Sequence, residues 1–329
     1  MKLASLKQGG RDGTLVVVDR ALKRAVKVGA IAPTLQAALE NWTSAAPRLA
    51  EVAAALEAGA GADAFDLKLD ALASPLPRAY QFLDGSVYLG HMEKARSARG
   101  AAMPPNYKTE PLMYQGLSDH FMGPTEPIVI PDEALDPDYE PEIAVILDDV
   151  PMATTAAQAA GHIKLVMLLN DVTLRALTAA ELPKQFGFLQ AKPTSAFSPV
   201  AVTLDELGPA WDGQKFHGRL RSSVNGKLIG QPDAGVGMFF TYPQLIAHAA
   251  RTRRLTAGTI LGAGTVSNED HEAGHGCIAE LRVNEQLESG VPRSPFLKVG
   301  DRLRIEMLND KGESIFGAID QTVARLTAV

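Results

Sequence analysis

The sequence predicts an α+β fold that is predominantly β. A rolled or sandwich-like main domain follows a small N-terminal α+β domain. Three observations carry this: many short β-branched runs, turn signals between them, and few helical stretches. The same pattern argues against a doubly wound sheet. Ser74-Pro75-Leu76-Pro77 marks the best boundary, because two prolines in four residues favour extended backbone. We place the small domain at residues 1–76 and the main domain at 77–329.

Taken in order, residues 1–30 read as two or three short strands. Thr14-Leu15-Val16-Val17-Val18 is the clearest, with turns at Gly9-Gly10 and Asp12-Gly13. Thr34 to Leu56 is rich in Ala and Leu and reads as helix, with Pro47 expected to split it. Thr154 to Gly161 reads as a helix ahead of a strand ending at Asp171. Asn225-Gly226 is a type I′ hairpin signal. Thr241 is a candidate N-cap for a helix over Tyr242 to Arg251. Thr259 to Val266 and Cys277 to Val283 read as strands. Leu303 to Met307 and Ser314 to Ala318 read as a hairpin. Gly262-x-Gly264 lacks the third glycine and following helix of a dinucleotide fingerprint, and receives no role.

Composition bounds the function. The chain is 46% apolar and 21% charged, ordinary for a globular enzyme. A formal charge of −6 without basic runs argues against nucleic acid. No apolar run approaches the ~20 residues of a membrane span, and the N-terminus lacks a signal-peptide core. Cys277 is the only cysteine, so no intrachain disulfide forms. These features lead us to expect a soluble, cytoplasmic protein.

The chemistry centres on Asp138-Tyr139-Glu140-Pro141-Glu142, which opens a β-branched run. Residues two apart on a strand share a face, so Glu140 and Glu142 project side by side. Such a pair repels unless a cation lies between the carboxylates or one stays protonated. Alone, it reads as a solvated edge-strand pair. Two further stretches change that. Val166-Met167-Leu168-Leu169-Asn170-Asp171 is an apolar strand ending in a carboxylate, and Asp84 precedes His91 by seven residues. Four carboxylates without thiols form a hard-cation set, suited to Mg²⁺ or Ca²⁺, with Mn²⁺ as a third choice.

These residues, in this order, resemble the fumarylacetoacetate hydrolase family. The likeness rests on Asp84…His91, Glu140-x-Glu142, Leu168-Leu169-Asn170-Asp171 and Gly264-Thr265-Val266-Ser267. Pro111-Leu112-Met113-Tyr114-Gln115-Gly116 and Pro295-Phe296-Leu297-Lys298-Val299-Gly300-Asp301 add to it. The bacterial fumarylacetoacetases are most similar. The resemblance implies a mixed β-roll catalytic domain, a homodimer, and hydrolysis of a carbon–carbon bond in a 1,3-diketo acid. For fumarylacetoacetate the products are fumarate and acetoacetate, within tyrosine and phenylalanine breakdown. It implies Asp84, Glu140, Glu142 and Asp171 as metal ligands, His91 as base and Glu280 as its orienting carboxylate. It further implies Lys192, Tyr114 and Thr265 near substrate, with Arg96 or Arg99 as the arginine after the base. Ser86 stands where the family has an aromatic residue, and Thr178 where it has a glutamine.

Plainer readings stand beside these. Asp84-Gly85 is also a turn, Asp171 also a cap, and Lys192 before Pro193 also a surface lysine. His91 begins a helical stretch, and Tyr114 reads equally as a core aromatic. Glu280, on its expected strand, faces either solvent or a partner. His271 and His275 fall in a glycine-rich loop expected to cover the site. Cys277 reads as buried and inert. Acylpyruvate hydrolysis, and decarboxylation, isomerisation or hydration through a held enolate, are the alternative activities.

Overall fold

The computed structural model describes residues 1–61, 63–97, 100 and 102–327. An 11-stranded mixed sheet runs through the chain. Its N-terminal part orders Phe65–Asp66, Arg24–Lys27, Thr14–Val18 and Lys2–Leu6. Lys2–Leu6 then pairs antiparallel with Ala201–Thr203. Beyond it lie Ile163–Asn170, Pro141–Leu147, Ile260–Gly262, Phe82–Ser86 and Leu112–Gly116, and the eleventh strand, Ala196–Phe197, pairs with Ile163–Asn170. A five-stranded sheet orders Lys227–Gly230, Leu220–Val224, Arg302–Met307, Ile319–Arg325 and Ile128–Ile130.

Every residue of Pro141–Leu147 is buried. A continuous apolar run of this kind marks a strand covered on both faces. Ile143, Val145 and Leu147 pack with Leu303, Ile305 and Met307 of the five-stranded sheet. Ala144 and Ile146 pack on the opposite side, with Leu35, Leu39 and Leu49 of the N-terminal helices. A slip of one residue would exchange the two faces, forcing side chains fitted to one core into the other and carrying Glu142 to the opposite side. Register is therefore fixed, and with it the side on which Glu142 emerges.

Several elements differ from the sequence expectation. Pro47 lies inside the helix Trp42–Glu57, and the break falls at Asn41, after the helix Leu35–Glu40. Asn41 leaves helical geometry and its Nδ2 donates to the Ala37 carbonyl at 3.1 Å, competing with the backbone ladder. Pro47 forfeits one helical hydrogen bond, and the helix continues through it with Ala45, Leu49 and Leu56 buried. Strand geometry near the site is shorter than expected, Ile260–Gly262. The partner of Arg302–Met307 is Ile319–Arg325, while Ser314 makes only an isolated bridge to Leu308. The Asn225-Gly226 turn has φ of 51° and 79°, as type I′ requires. Gln244 accepts the Thr241 N–H at 2.8 Å and fixes the start of Tyr242–Ala249.

The largest correction concerns Cys277 to Val283. This segment belongs to a helix, Ile278–Ser289, not a strand. Cys277 gives no side-chain cap. The cap comes from Asp138, whose carboxylate accepts the N–H groups of Ile278 and Ala279 at 3.0 and 2.9 Å. A cap delivered from 140 residues away leaves no local signature. Among the described residues no helix is long and apolar enough to cross a membrane.

Candidate active site

Strand alternation gathers the acids. Asp84 shares its face with Phe82, Glu142 with Ala144 and Ile146, and Asp171 follows Leu165, Met167 and Leu169; those apolar neighbours form one core cluster. Pairing sets Leu169 against Glu142, and Gly262 against both Asp84 and Ala144. The carboxylate oxygens of Asp84, Glu142 and Asp171 come within 4.8 Å of one another, and all three residues are buried.

Glu140 stands beside them with different company. Lys192 Nζ bridges Glu140 Oε2 and Asp171 Oδ2 at 2.5 Å each. Arg175 reaches Glu140 at 2.8 Å and Asp138 at 2.7 Å. Burial would raise the Glu140 carboxyl, but Lys192, Arg175 and His91 outweigh it and hold it well below the ordinary carboxylate range. Tyr114 Oη donates to Asp171 Oδ2 at 2.7 Å, and Ser195 Oγ to Asp171 Oδ1 at 2.9 Å.

Asp84 and Glu142 lack such relief. Asp84 Oδ1 and Glu142 Oε1 are buried without a hydrogen-bond partner. Burial, then the Asp171 charge, push the Asp84 carboxyl up to about 8. Burial, then Asp84 and Asp171, push Glu142 well above its usual range. Gly262 leaves the space the pair needs, and the Gly264 N–H donates to Glu142 Oε2 at 3.0 Å. An all-oxygen set with orphaned, mutually repelling carboxyls fits a hard divalent cation. His91, Glu140 and Cys277 also converge within 4.8 Å. There Arg175 lies 2.8 Å from Glu140 and 3.5 Å from the thiol, which opposes a second cation. Burial pushes the Cys277 thiol well above its ordinary value.

His91, from the helix Leu89–Ser97, sits between two carboxylates. Its Nδ1 lies 3.4 Å from Glu280 Oε2 and its Nε2 4.0 Å from Glu140 Oε1. Glu280 also accepts from Lys94 at 2.6 Å and Ser267 at 2.9 Å. Burial would raise Glu280, but the His91 hydrogen bond and charge, then Lys94, hold it down at about 2. The helical placement of Glu280 therefore still brings it to His91.

A cavity of about 350 Å³ opens over these groups. Asp84, His91, Tyr114, Glu140, Glu142, Lys192 and Thr265 line it, as do Ser86, Arg96 and Thr178. Arg96 also donates to the Ala102 carbonyl at 2.9 Å. Arg99 lies outside the described residues. The 274–275 segment does not cover this cavity: Gly274 bridges to Gly230, and His275 meets Asn284 at 3.0 Å. Sequence reasoning missed Arg175, Lys94, Ser195 and Gly262. Phe188 was missed too; its ring meets Tyr114 edge-on at 5.2 Å. Gly262 was visible as a glycine but carried no sign of which side chains it would face.

Fold and site together define a mixed-sheet enzyme with a buried carboxylate cluster and a histidine–glutamate pair. The family described as fumarylacetoacetate (FAA) hydrolase C-terminal matches residues 81–324, and fumarylacetoacetase N-terminal domain 2 matches residues 1–78. The chain belongs to the fumarylacetoacetate hydrolase family. It is 26% identical over 246 residues to the fumarylacetoacetase of Arabidopsis thaliana, a match covering 61% of this chain and 58% of the relative. It is 26% identical over 200 residues to the mitochondrial oxaloacetate tautomerase fahd2 of Xenopus laevis, covering 60% of this chain and 55% of that one. Both matches therefore span little more than half of those relatives. The structure resembles maleylpyruvate hydrolase from Sphingobium sp. SYK-6, solved with manganese(II) and pyruvate: TM-score 0.65, 18% identity, 99% of this chain and 100% of that one.

Proposed function

We propose that the protein is a metal-dependent hydrolase of the carbon–carbon bond in a 1,3-diketo acid. Fumarylacetoacetate, split into fumarate and acetoacetate in tyrosine and phenylalanine breakdown, is the substrate we assign. The observation that carries this reading is His91, held between Glu280 and Glu140 beside the carboxylate cluster.

Asp84, Glu140, Glu142 and Asp171 would hold a divalent cation, Mg²⁺, Ca²⁺ or Mn²⁺. When bound, it supplies Lewis-acid stabilisation of the departing enolate. Glu280 accepts from His91 Nδ1–H and so leaves Nε2 free to take a proton from water. The hydroxyl oxygen bonds to the carbonyl carbon, the carbon–carbon bond breaks, and the leaving carbon receives the proton His91 took. Lys192 adds positive charge beside the reacting oxygens, while Tyr114 and Thr265 position the substrate. Arg96, which lines the cavity, or Arg99 is the arginine proposed to meet a substrate carboxylate. Division at residues 76/77, a homodimer and a cytoplasmic location complete the proposal.

Loss of the diketone absorbance, followed with purified protein, fumarylacetoacetate and several acylpyruvates, tests it. Turnover should need added Mg²⁺, Mn²⁺ or Ca²⁺ and vanish after chelation. Full activity after exhaustive chelation, with no metal by elemental analysis, would sink the cation assignment. A second reading, tautomerisation of a small keto acid, is favoured by the similarity to the Xenopus laevis relative. Product analysis separates them, because only hydrolysis yields two fragments.

A further inference from the structure

Behind His91 lies a second chamber, of about 540 Å³. Its walls come from the helices Leu89–Ser97, Arg175–Glu181 and Ile278–Ser289, and from the turn carrying Pro292 and Phe296. His91, Arg175 and Thr178 line both this chamber and the carboxylate cavity, so the two spaces share a wall.

The two spaces differ in charge. The cavity sets Asp84, Glu140 and Glu142 against Arg96, Arg175 and Lys192, and Arg175 and Lys192 are already engaged by its acids. The chamber presents Lys94, Arg175 and Arg282 against the single carboxylate of Glu280. Lys94 is answered by Glu280, and Arg175 by Asp138 and Glu140. Arg282 has no ion pair among the described residues. It donates to the Ser294 carbonyl, and its guanidinium carbon lies 4.6 Å from the Phe296 ring centroid. Stacking holds the planar fork in place and leaves further N–H groups for a carboxylate. Val283 and Leu287 add apolar surface beside it. At the shared wall Thr178 is short, and its hydroxyl turns back to the Arg175 carbonyl at 2.7 Å.

The geometry points to this chamber as the subsite for the distal carboxylate of a dicarboxylic diketo acid, with Arg282 as its anchor. This inference rests on the diketo-acid reading above. The substrate's reacting carbonyl lies on the cavity side of His91. One arm passes Thr178 and ends on Arg282, in the chamber where cations outnumber the carboxylate of Glu280.

The test uses the full chain, loaded with Mg²⁺ or Mn²⁺, as wild type, Arg282→Ala, Arg282→Lys and Thr178→Gln. KM is measured for a dicarboxylic diketo acid and for an acylpyruvate with an apolar tail. Calorimetry measures succinate binding against propionate. Arg282→Ala should raise KM for the dicarboxylic substrate about 10- to 100-fold more than for the other, the usual worth of a charge-assisted hydrogen bond. Arg282→Lys should recover part of this. Thr178→Gln, which lengthens the side chain at the shared wall, should show the same selectivity. Succinate binding should weaken in step with KM. Equal rises for both substrates, or succinate binding that Arg282→Ala leaves intact, would overturn the subsite. If wild type turns over neither substrate, the diketo-acid reading fails. Succinate binding to wild type and Arg282→Ala then still decides whether the chamber holds a carboxylate.

Discussion

A β-carbon on Gly262 would lie 2.3 Å from Asp84 Oδ1. It would also stand 3.1 Å from Glu142 Oε2. Gly262 pairs in register with Asp84 on the neighbouring parallel strand, so neither backbone can retreat without breaking the ladder. We expect Gly262→Ala to fold and to bind Mn²⁺ at least about tenfold more weakly, because a displaced ligand loses its oriented contact. Circular dichroism and Mn²⁺ titration would check this. Unchanged affinity would mean that Asp84 does not hold the cation.

Protons and cation should compete at Asp84 and Glu142. Burial and the neighbouring carboxylates raise both groups in the folded protein, Asp84 from 3.8 to about 8. A carboxyl raised on folding contributes stability fully present below its unfolded pKa and lost as pH rises through the folded one. Cation-free protein should therefore lose stability between about pH 4 and 8, and cation should restore most at the upper end. Adding Mn²⁺ near pH 6.5 in weak buffer should release about one to two protons per site, from Asp84 and Glu142. Stability that rises over this range without cation, or binding without proton release, would contradict the assignment.

Much of this arrangement was legible beforehand, for a physical reason. Glu142 and Asp171 sit at the ends of long apolar strands, where alternation alone fixes their face. The Glu280 helix was misread because its cap, Asp138, arrives from a remote strand, and because Ile278-Ala279 preceding a Leu suits either period. Arg175 was missed because nothing in a single sequence tells a half-buried, ion-paired arginine from a surface one. Its partners, Asp138 and Glu140, meet it only through the fold. Pro47 misled because burial of Ala45, Leu49 and Leu56 holds the helix together across a proline that costs a hydrogen bond and a ring clash.

Asp138 couples the base's partner to the core. It is fully buried, caps the Glu280 helix and pairs with Arg175. Asp138→Ala removes the cap and leaves the half-buried Arg175 guanidinium short of one partner. Breaking a buried pair costs about 3–5 kcal/mol, beyond the roughly 1 kcal/mol of a lost cap. Urea unfolding of the cation-loaded protein would measure it. A loss below about 1 kcal/mol would show that solvent or Glu140 replaces Asp138, contrary to the buried geometry.

The last prediction concerns His91 and Glu280. Glu280 Oε2 lies 3.4 Å from His91 Nδ1, while its Oε1 takes Lys94 at 2.6 Å. One carboxylate thus serves two cationic partners when His91 is protonated. His91→Ala should lower kcat by about 10²–10⁴, the usual worth of a positioned general base. Glu280→Gln should lower it too, since an amide can accept a hydrogen bond but cannot offset the imidazolium charge. That variant also strands Lys94, so Lys94→Met is the necessary companion. If Glu280 acts through His91, Lys94→Met should cost far less than Glu280→Gln. The double variant His91→Ala/Glu280→Gln should be little worse than the worse single one, because groups acting as a unit are non-additive. None of these changes should release the cation, because His91, Glu280 and Lys94 all lie outside the Asp84, Glu142 and Asp171 cluster. Measuring kcat and bound metal for all four variants decides the matter. Losses that simply multiply, or metal lost together with activity, would dissolve the pair and return Glu280 to a structural role beneath Lys94 and Ser267.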